Sequence, residues 1–249
     1  MRRIIYSDFT KEILKLSRIN NYSKKIVGYK ESKWMNNPFP IYKLEVNKKA
    51  KTKFCIVAGV HGDEIAGPYS IIELLKRPKF FKKEIYYQIF PVINPTAFEL
   101  QRRNNDKGRD INCLNKKTLK SKNYKEIQFF YKEVQNENFD FFISMHEDLD
   151  VDKAYGYIYE NDFEKIYRKL FRRERKWKTK KIYGDKSDGQ GLVKNVHDHS
   201  LEDRLFSMGK TKLSIATETP GKLNLERRII MNLKNLEIIN NHLLNNINI

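Results

Sequence analysis

The chain has 249 residues, of which 40% are hydrophobic and 12% aromatic, enough for one large domain with a substantial core and too apolar for a disordered chain. No stretch approaches the ~20 apolar residues of a membrane span, and the N-terminus lacks the apolar core of a secretory signal, so a cytoplasmic protein is expected. The formal charge of +18 could serve nucleic acid or another polyanion, but the lysines are scattered along the whole chain. Nucleic acid is therefore not expected as the primary partner. A basic surface would still steer acidic substrates towards a cleft.

Residues 1–23 carry no functional signal and are expected to form an N-terminal helix packed on the domain. Strands are predicted over 24–30, 40–46 and 53–59. The last of these, with Phe54, Cys55, Ile56, Val57 and Ala58 in succession, has the continuous apolar character of a strand buried on both faces. It stops at His61, Gly62, Asp63 and Glu64, and a helical spacing of apolar residues follows over 66–77. Further strands are predicted over 84–93, 139–145, 154–160 and 212–218. Helices are predicted over 124–137 and 162–174, with a C-terminal helix placing Leu225, Ile229, Leu233, Leu236, Ile239 and Leu243 on one stripe. Alternating strands and helices imply a three-layer α/β/α sandwich with a mixed, mostly parallel central sheet. No repeat or linker divides it, so a single domain over 1–249 is expected, with its core over 24–221 and a C-terminal helix over 222–249. Cys55 in a strand and Cys113 in a polar loop form neither a disulfide framework nor a zinc ribbon.

Three apolar strands end in chemistry-bearing residues: one in His61 and Glu64, one in His146, Glu147 and Asp148, one in Glu218. In open α/β sheets the carboxyl ends of strands are where ligands bind. Two imidazoles with a carboxylate suit zinc, which in catalytic sites takes three protein ligands and leaves a position for water. His197 and His199, two apart on a predicted loop, form a rival metal pair or line the cleft. Asp148 could orient a ligand imidazole from behind.

The collinear blocks HGDE (61–64), NPTAFELQRRNNDKGRDIN (94–112), MHED (145–148) and TETPG (217–221) resemble the zinc carboxypeptidase family, which includes murein-peptide amidases. Its wider relatives are the aspartoacylase and succinylglutamate desuccinylase deacylases. The resemblance implies one zinc ion per chain, held by His61, Glu64 and His146, with Glu218 as general base. It also implies an arginine that polarises the scissile carbonyl: Arg102, with adjacent Arg103 a near-equal candidate. Asn112 matches an asparagine that contacts the substrate carboxylate. Cys113 stands where the family has the arginine that clamps that carboxylate, and Arg109 could supply a replacement charge. The segment 195–210, with Ser200 and Leu201 in its SLED tetrapeptide, resembles the stretch lining the specificity pocket. Tyr155, Tyr157 and Tyr159 alternate as strand packing would require, and none is given a catalytic role.

The expected activity is zinc-dependent hydrolysis of an amide bond in a peptide or peptidoglycan-derived peptide. N-acyl amino-acid deacylation is the alternative, with a non-catalytic polyanion-binding protein ranked below both.

Overall fold

The computed structural model describes residues 5–32, 38–160, 165–170 and 176–247. In chain order the elements are α1 (Tyr6–Ile19), β1 (Ser23–Lys30), β2 (Phe39–Val46), β3 (Thr52–Ala58), α2 (Ala66–Leu75), β4 (Ile85–Phe90), α3 (Pro95–Leu100), α4 (Lys125–Val134) and β5 (Phe139–Asp148). There follow β6 (Tyr155–Tyr159), α5 (Lys165–Lys169), β7 (Lys181–Ile182), β8 (Asp185–Lys186), β9 (Leu192–Lys194), α6 (Leu201–Ser207), β10 (Thr211–Pro220) and α7 (Leu225–Ile247).

One mixed sheet of eight strands runs in the order β1-β2-β4-β3-β5-β10-β6-β9, while β7 and β8 form a separate hairpin. The central run β4-β3-β5-β10 is parallel throughout, as is β6 with β9; the remaining pairs are antiparallel. Side chains alternate across this sheet because successive residues of a strand point to opposite faces. Phe54, Ile56, Phe141, Ile143 and Ile215 meet α1, α2 and α7 on one face. Cys55, Val57, Phe90 and Phe142 meet Ile127 and Phe130 of α4 and Leu201 and Leu205 of α6 on the other. The central strands read as unbroken apolar runs because both faces are covered, and the layers are the three expected.

Several boundaries differ from the sequence reading. β4 stops at Phe90 rather than 93, because Asn94 turns the chain and caps α3, its side-chain oxygen accepting from the Ala97 N–H at 3.3 Å. β5 and β10 run on together to Asp148 and Pro220, carried by the parallel register that pairs them. The helix expected over 162–174 is described at Lys165–Lys169 and ends in a turn at Leu170, while 162–164 and 171–174 lie outside the described residues. The expected N-terminal helix is α1, which buries Tyr6, Phe9, Ile13 and Leu16. No helix among the described residues is long and apolar enough to cross a membrane.

A buried charge cluster fixes the loop between α3 and α4. Lys30, at the end of β1, reaches Asp106 at 2.6 Å and Glu126 at 2.7 Å, with all three side chains at 2% exposure or less. Buried Asn105 completes the clasp, donating to the Asn123 carbonyl and accepting from the backbone of Lys107 and Arg109. Removing one partner of a buried ion pair leaves an uncompensated charge, at a cost of ~3–5 kcal/mol. Lys30→Met is therefore expected to lower stability by about that amount, read from urea unfolding. A change below about 1 kcal/mol would show that the cluster does not hold the loop.

Candidate metal centre

The site begins with the turn after β3. Gly62 donates its N–H to the Arg102 carbonyl at 3.0 Å, and a Cβ on Gly62 would sit 1.9 Å from the Ala97 carbonyl carbon. Only glycine permits this approach, which presses the His61–Glu64 turn against α3 and the loop beyond it. His146 comes from β5, whose register sets Met145 beside Ala58 of β3. Glu218 comes from β10, directly in register with His146, and Tyr155 of β6 lies in register on its other side. The carboxyl ends of three adjacent parallel strands thus deliver the four residues.

His61, Glu64 and His146 are all buried, and one donor atom from each lies within 4.8 Å of the others. The His61 Nδ1 is 2.6 Å from Glu64 Oε1, the His146 Nδ1 is 2.8 Å from Glu64 Oε2, and the two Nδ1 atoms are 3.3 Å apart. Both imidazoles therefore aim the same nitrogen at one point. The opposite nitrogens face oxygen: His61 Nε2 is 3.0 Å from Asp110 Oδ1, and His146 Nε2 is 2.9 Å from Ser144 Oγ and 3.4 Å from Glu202 Oε1.

Electrostatics follow from this crowding. Burial works against charge on Glu64, yet His61 and His146 hold its carboxyl far below the usual range. Burial also opposes charging of the two imidazoles, and the neighbouring carboxylates overcome it, raising both. Glu218 is pushed up to about 8, first by burial; His146 opposes that shift and Glu64 adds to it. This donor set, two neutral-capable nitrogens and a carboxylate with an acidic surround, fits a divalent cation.

The cavity around the trio has a volume of about 450 Å³. Arg103 lines it, with Nε and Nη2 on Asp110 Oδ2 at 3.0 and 2.8 Å and Nη1 3.5 Å from Glu64. Arg102 does not enter the cavity. Its Nε donates to the Asn104 carbonyl at 3.1 Å and its Nη2 to the Asn105 carbonyl at 2.7 Å, so its guanidinium holds the loop and leaves Arg103 to face inward. Arg109 is likewise outside, exposed on the loop tip. Asn112 and Ser200 line the cavity. Asn112 accepts the Leu201 N–H at 3.0 Å, and Ser200 caps α6. The Leu201 side chain does not line the cavity and is wholly buried in the core.

Asp148 is not behind His146. The two-residue period puts both on one face of β5, and Asp148 Oδ2 instead accepts from the hydroxyls of Tyr155 (2.8 Å) and Tyr183 (2.6 Å). His197 and His199 make no rival centre: His197 Nδ1 is 2.9 Å from Asp203 Oδ1, and the His199 N–H donates to Asp203 Oδ2. Tyr155, Tyr157 and Tyr159 share the face of β6 that lines the cavity, joined there by Tyr183. Asp148, Asp150 and Asp198 also line it, while Arg103 is the one lysine or arginine among the described lining residues. The wall of the metal-free cavity is therefore rich in carboxylates although the chain is basic overall.

Sequence reading missed Ser144, Glu202 and the cavity-facing role of the tyrosines. For Glu202 a signal existed. SLED, Ser200 to Asp203, is a Ser-x-x-acid capping pattern, and α6 starts there with Ser200 Oγ accepting from the Asp203 N–H at 3.3 Å.

The fold is carboxypeptidase-like, and the His61–Glu64–His146 cluster fits a metal ion. The profile of the succinylglutamate desuccinylase/aspartoacylase catalytic domain matches residues 50–157. Carboxypeptidase SOL1 of Arabidopsis thaliana is 28% identical over 120 residues, covering 42% of this chain but only 22% of the plant protein. Among solved structures, one assigned as a metallopeptidase of Shewanella amazonensis superposes with a TM-score of 0.78 at 22% identity, covering 94% of this chain and 90% of that one. A metallo-carboxypeptidase of Burkholderia cenocepacia gives a TM-score of 0.70 at 16% identity, covering 95% and 68%. The chain is thus similar in fold to metallo-carboxypeptidases and, over residues 50–157, in sequence to the succinylglutamate desuccinylase/aspartoacylase catalytic domain.

The raised Glu218 carboxyl has a consequence for the metal-free protein. The folded state keeps a proton up to about pH 8 that an ordinary carboxyl releases near 4.5, so stability falls as pH rises between those values. Glu218→Gln is expected to flatten this decline, as read from urea midpoints at pH 6 and 8 in chelator. Parallel declines in both proteins would mean that Glu218 is not the group responsible.

Proposed function

We propose that the protein is a zinc-dependent hydrolase of an amide bond in a peptide or peptidoglycan-derived peptide. The observation that carries this reading is the convergence of His61 Nδ1, His146 Nδ1 and the Glu64 carboxylate, with Glu218 in register beside them. His61, Glu64 and His146 would hold one zinc ion, which when bound supplies a Lewis acid and lowers the pKa of water towards ~7.

The chain's own residues supply the rest. Glu218, in the cavity wall next to His146, takes the proton of the attacking water at its carboxylate and returns it to the leaving amine. Its affinity for a proton is raised by burial, which suits a group that must accept and then release one near neutrality. Arg103 replaces Arg102 in the role of stabilising the developing oxyanion. It is the guanidinium that lines the cavity, and Asp110 braces it in place. A single such donor is worth roughly 3–4 kcal/mol in the transition state. Asn112 and Ser200, on the wall nearest α6, contact the substrate, and the tyrosines of β6 offer flat apolar faces to it.

Glu218→Gln is expected to keep its metal, since it is not a ligand, while hydrolysis falls by about two orders of magnitude or more. Metal content by elemental mass spectrometry beside turnover of a peptide panel measures both. Near-wild-type turnover would remove Glu218 from the role of base, and loss of zinc would make it a ligand.

Deacylation of an N-acyl amino acid is the second reading, favoured by two observations: the profile match over 50–157 and Cys113 in place of the carboxylate-clamping arginine. Cys113 Sγ accepts from Asn115 Nδ2 at 3.0 Å and offers no fork for a carboxylate. Cys113→Arg is expected to shift preference towards substrates with a free C-terminal carboxylate, measured as kcat/KM on acid and amide pairs. An unchanged ratio would place carboxylate recognition elsewhere.

A further inference from the structure

A neutral imidazole carries one N–H, so a histidine that gives its Nδ1 lone pair to a metal must hold its proton on Nε2. His146 Nδ1 faces Glu64 and His61 in the donor set, so a metal bound there would leave the proton on Nε2. That N–H needs an acceptor. Two stand beside it, Ser144 Oγ at 2.9 Å and Glu202 Oε1 at 3.4 Å. Ser144 precedes His146 by two residues and shares its face of β5, while Glu202 approaches from the first turn of α6.

Glu202 has an unusual place in the charge balance. Its side chain is fully buried, and neither carboxylate oxygen makes a hydrogen bond that meets ordinary geometry. Among the described residues its ion-pair contact is to His146, with no lysine or arginine in range. A carboxylate taken out of water costs several kcal/mol unless a positive charge compensates it.

We propose that Glu202, acting with Ser144, is a positioning residue that fixes His146 in the Nδ1-ligating tautomer and raises the affinity of the centre for its metal. The proposal rests on the reading of His61, Glu64 and His146 as a metal site. It makes the two imidazoles a matched pair, because Asp110 stands behind His61 as Glu202 stands behind His146. The two carboxylates differ in setting. The Asp110 side chain is 42% exposed and shared with Arg103, whereas that of Glu202 is fully buried, with His146 as its ion-pair partner among the described residues and Ser144 beside it. Loss of the Glu202 charge is thus the less easily replaced by water.

The test is zinc affinity, measured on the full chain by competition with a chromogenic chelator, for wild type, Glu202→Gln, Ser144→Ala and Asp203→Asn. Glu202→Gln keeps shape and removes charge, and it is expected to weaken zinc binding about 10- to 100-fold. Asp203→Asn alters the next residue of the same turn, which serves His197, His199 and Ser207. It is expected to leave zinc affinity within about twofold even if it lowers stability. In cobalt-loaded protein, the visible bands of the metal are expected to shift in Glu202→Gln and not in Asp203→Asn. Equal zinc affinity in Glu202→Gln and wild type would overturn the proposal. If Glu202→Gln does not fold, Ser144→Ala decides by the same measure, with severalfold weaker binding supporting the proposal and unchanged binding refuting it. Wild-type protein that binds no zinc defeats the metal reading itself, and the proposal with it, before any variant is compared.

Discussion

The site depends on the compensation of buried negative charge. Glu64, Asp110 and Glu202 surround two imidazoles, and Glu218 stands against them in the next strand. In a low-dielectric interior such a set cannot all be ionised without cations at close range. The two histidines supply part of that charge, which is why burial fails to keep them neutral in the metal-free arrangement. The geometry that brings the donors together therefore leaves a set that a divalent cation would complement, and burial in the same place pushes the Glu218 carboxyl up to about 8.

Sheet topology makes the crowding possible. β5 lies between β3 and β10, parallel to both, so its C-terminal end is flanked by two other C-terminal ends. The Gly62 contact then locks the His61–Glu64 turn against α3, and the Lys30 cluster locks the loop that carries Arg103 and Asp110. A hydrophobic sheet thus supplies position, while two polar clasps supply orientation. Charge is also segregated. The chain is strongly basic overall, yet the described cavity wall presents several carboxylates against a single guanidinium. Net charge describes the field at long range, and the cavity is governed by the groups within a few ångströms.

Much of this was legible in the sequence. The seven longer strands and the convergence of His61, Glu64, His146 and Glu218 follow from apolar runs that end in ligating residues, a pattern that needs no side-chain detail. What could not be read is direction within a loop. Arg102 and Arg103 are chemically identical neighbours, and only the carbonyls of Asn104 and Asn105 turn one outward and leave the other to the cavity. Arg109 and Leu201 failed for the same reason, since position near a motif does not fix where a side chain points. Asp148 was misplaced although strand period bore on it, because sharing a face with His146 makes it a cavity neighbour rather than a support. Glu202 was hidden by reading residues 195–210 as a loop, when the Ser200 cap makes part of them a helix.

That helix changes how the substrate side of the cavity relates to the metal side. α6 is tied to the 110–112 loop by Asn112, whose side chain accepts the Leu201 N–H, and the adjacent Asn112 N–H is itself held by Asp110. Asp110 in turn reaches His61, while Glu202 on the same helix reaches His146. The two imidazoles are thus braced by a continuous structure running through Asp110, Asn112, Leu201 and Glu202, with Ser200 and Asp198 of its margin lining the cavity. In the proposed hydrolase, the segment that would meet substrate and the segment that orients the histidines share one connection. In the proposed hydrolase, substitutions that retune the cavity along 198–201 would act on an element whose next residue, Glu202, faces His146, whereas the β6 tyrosines face the cavity without that link.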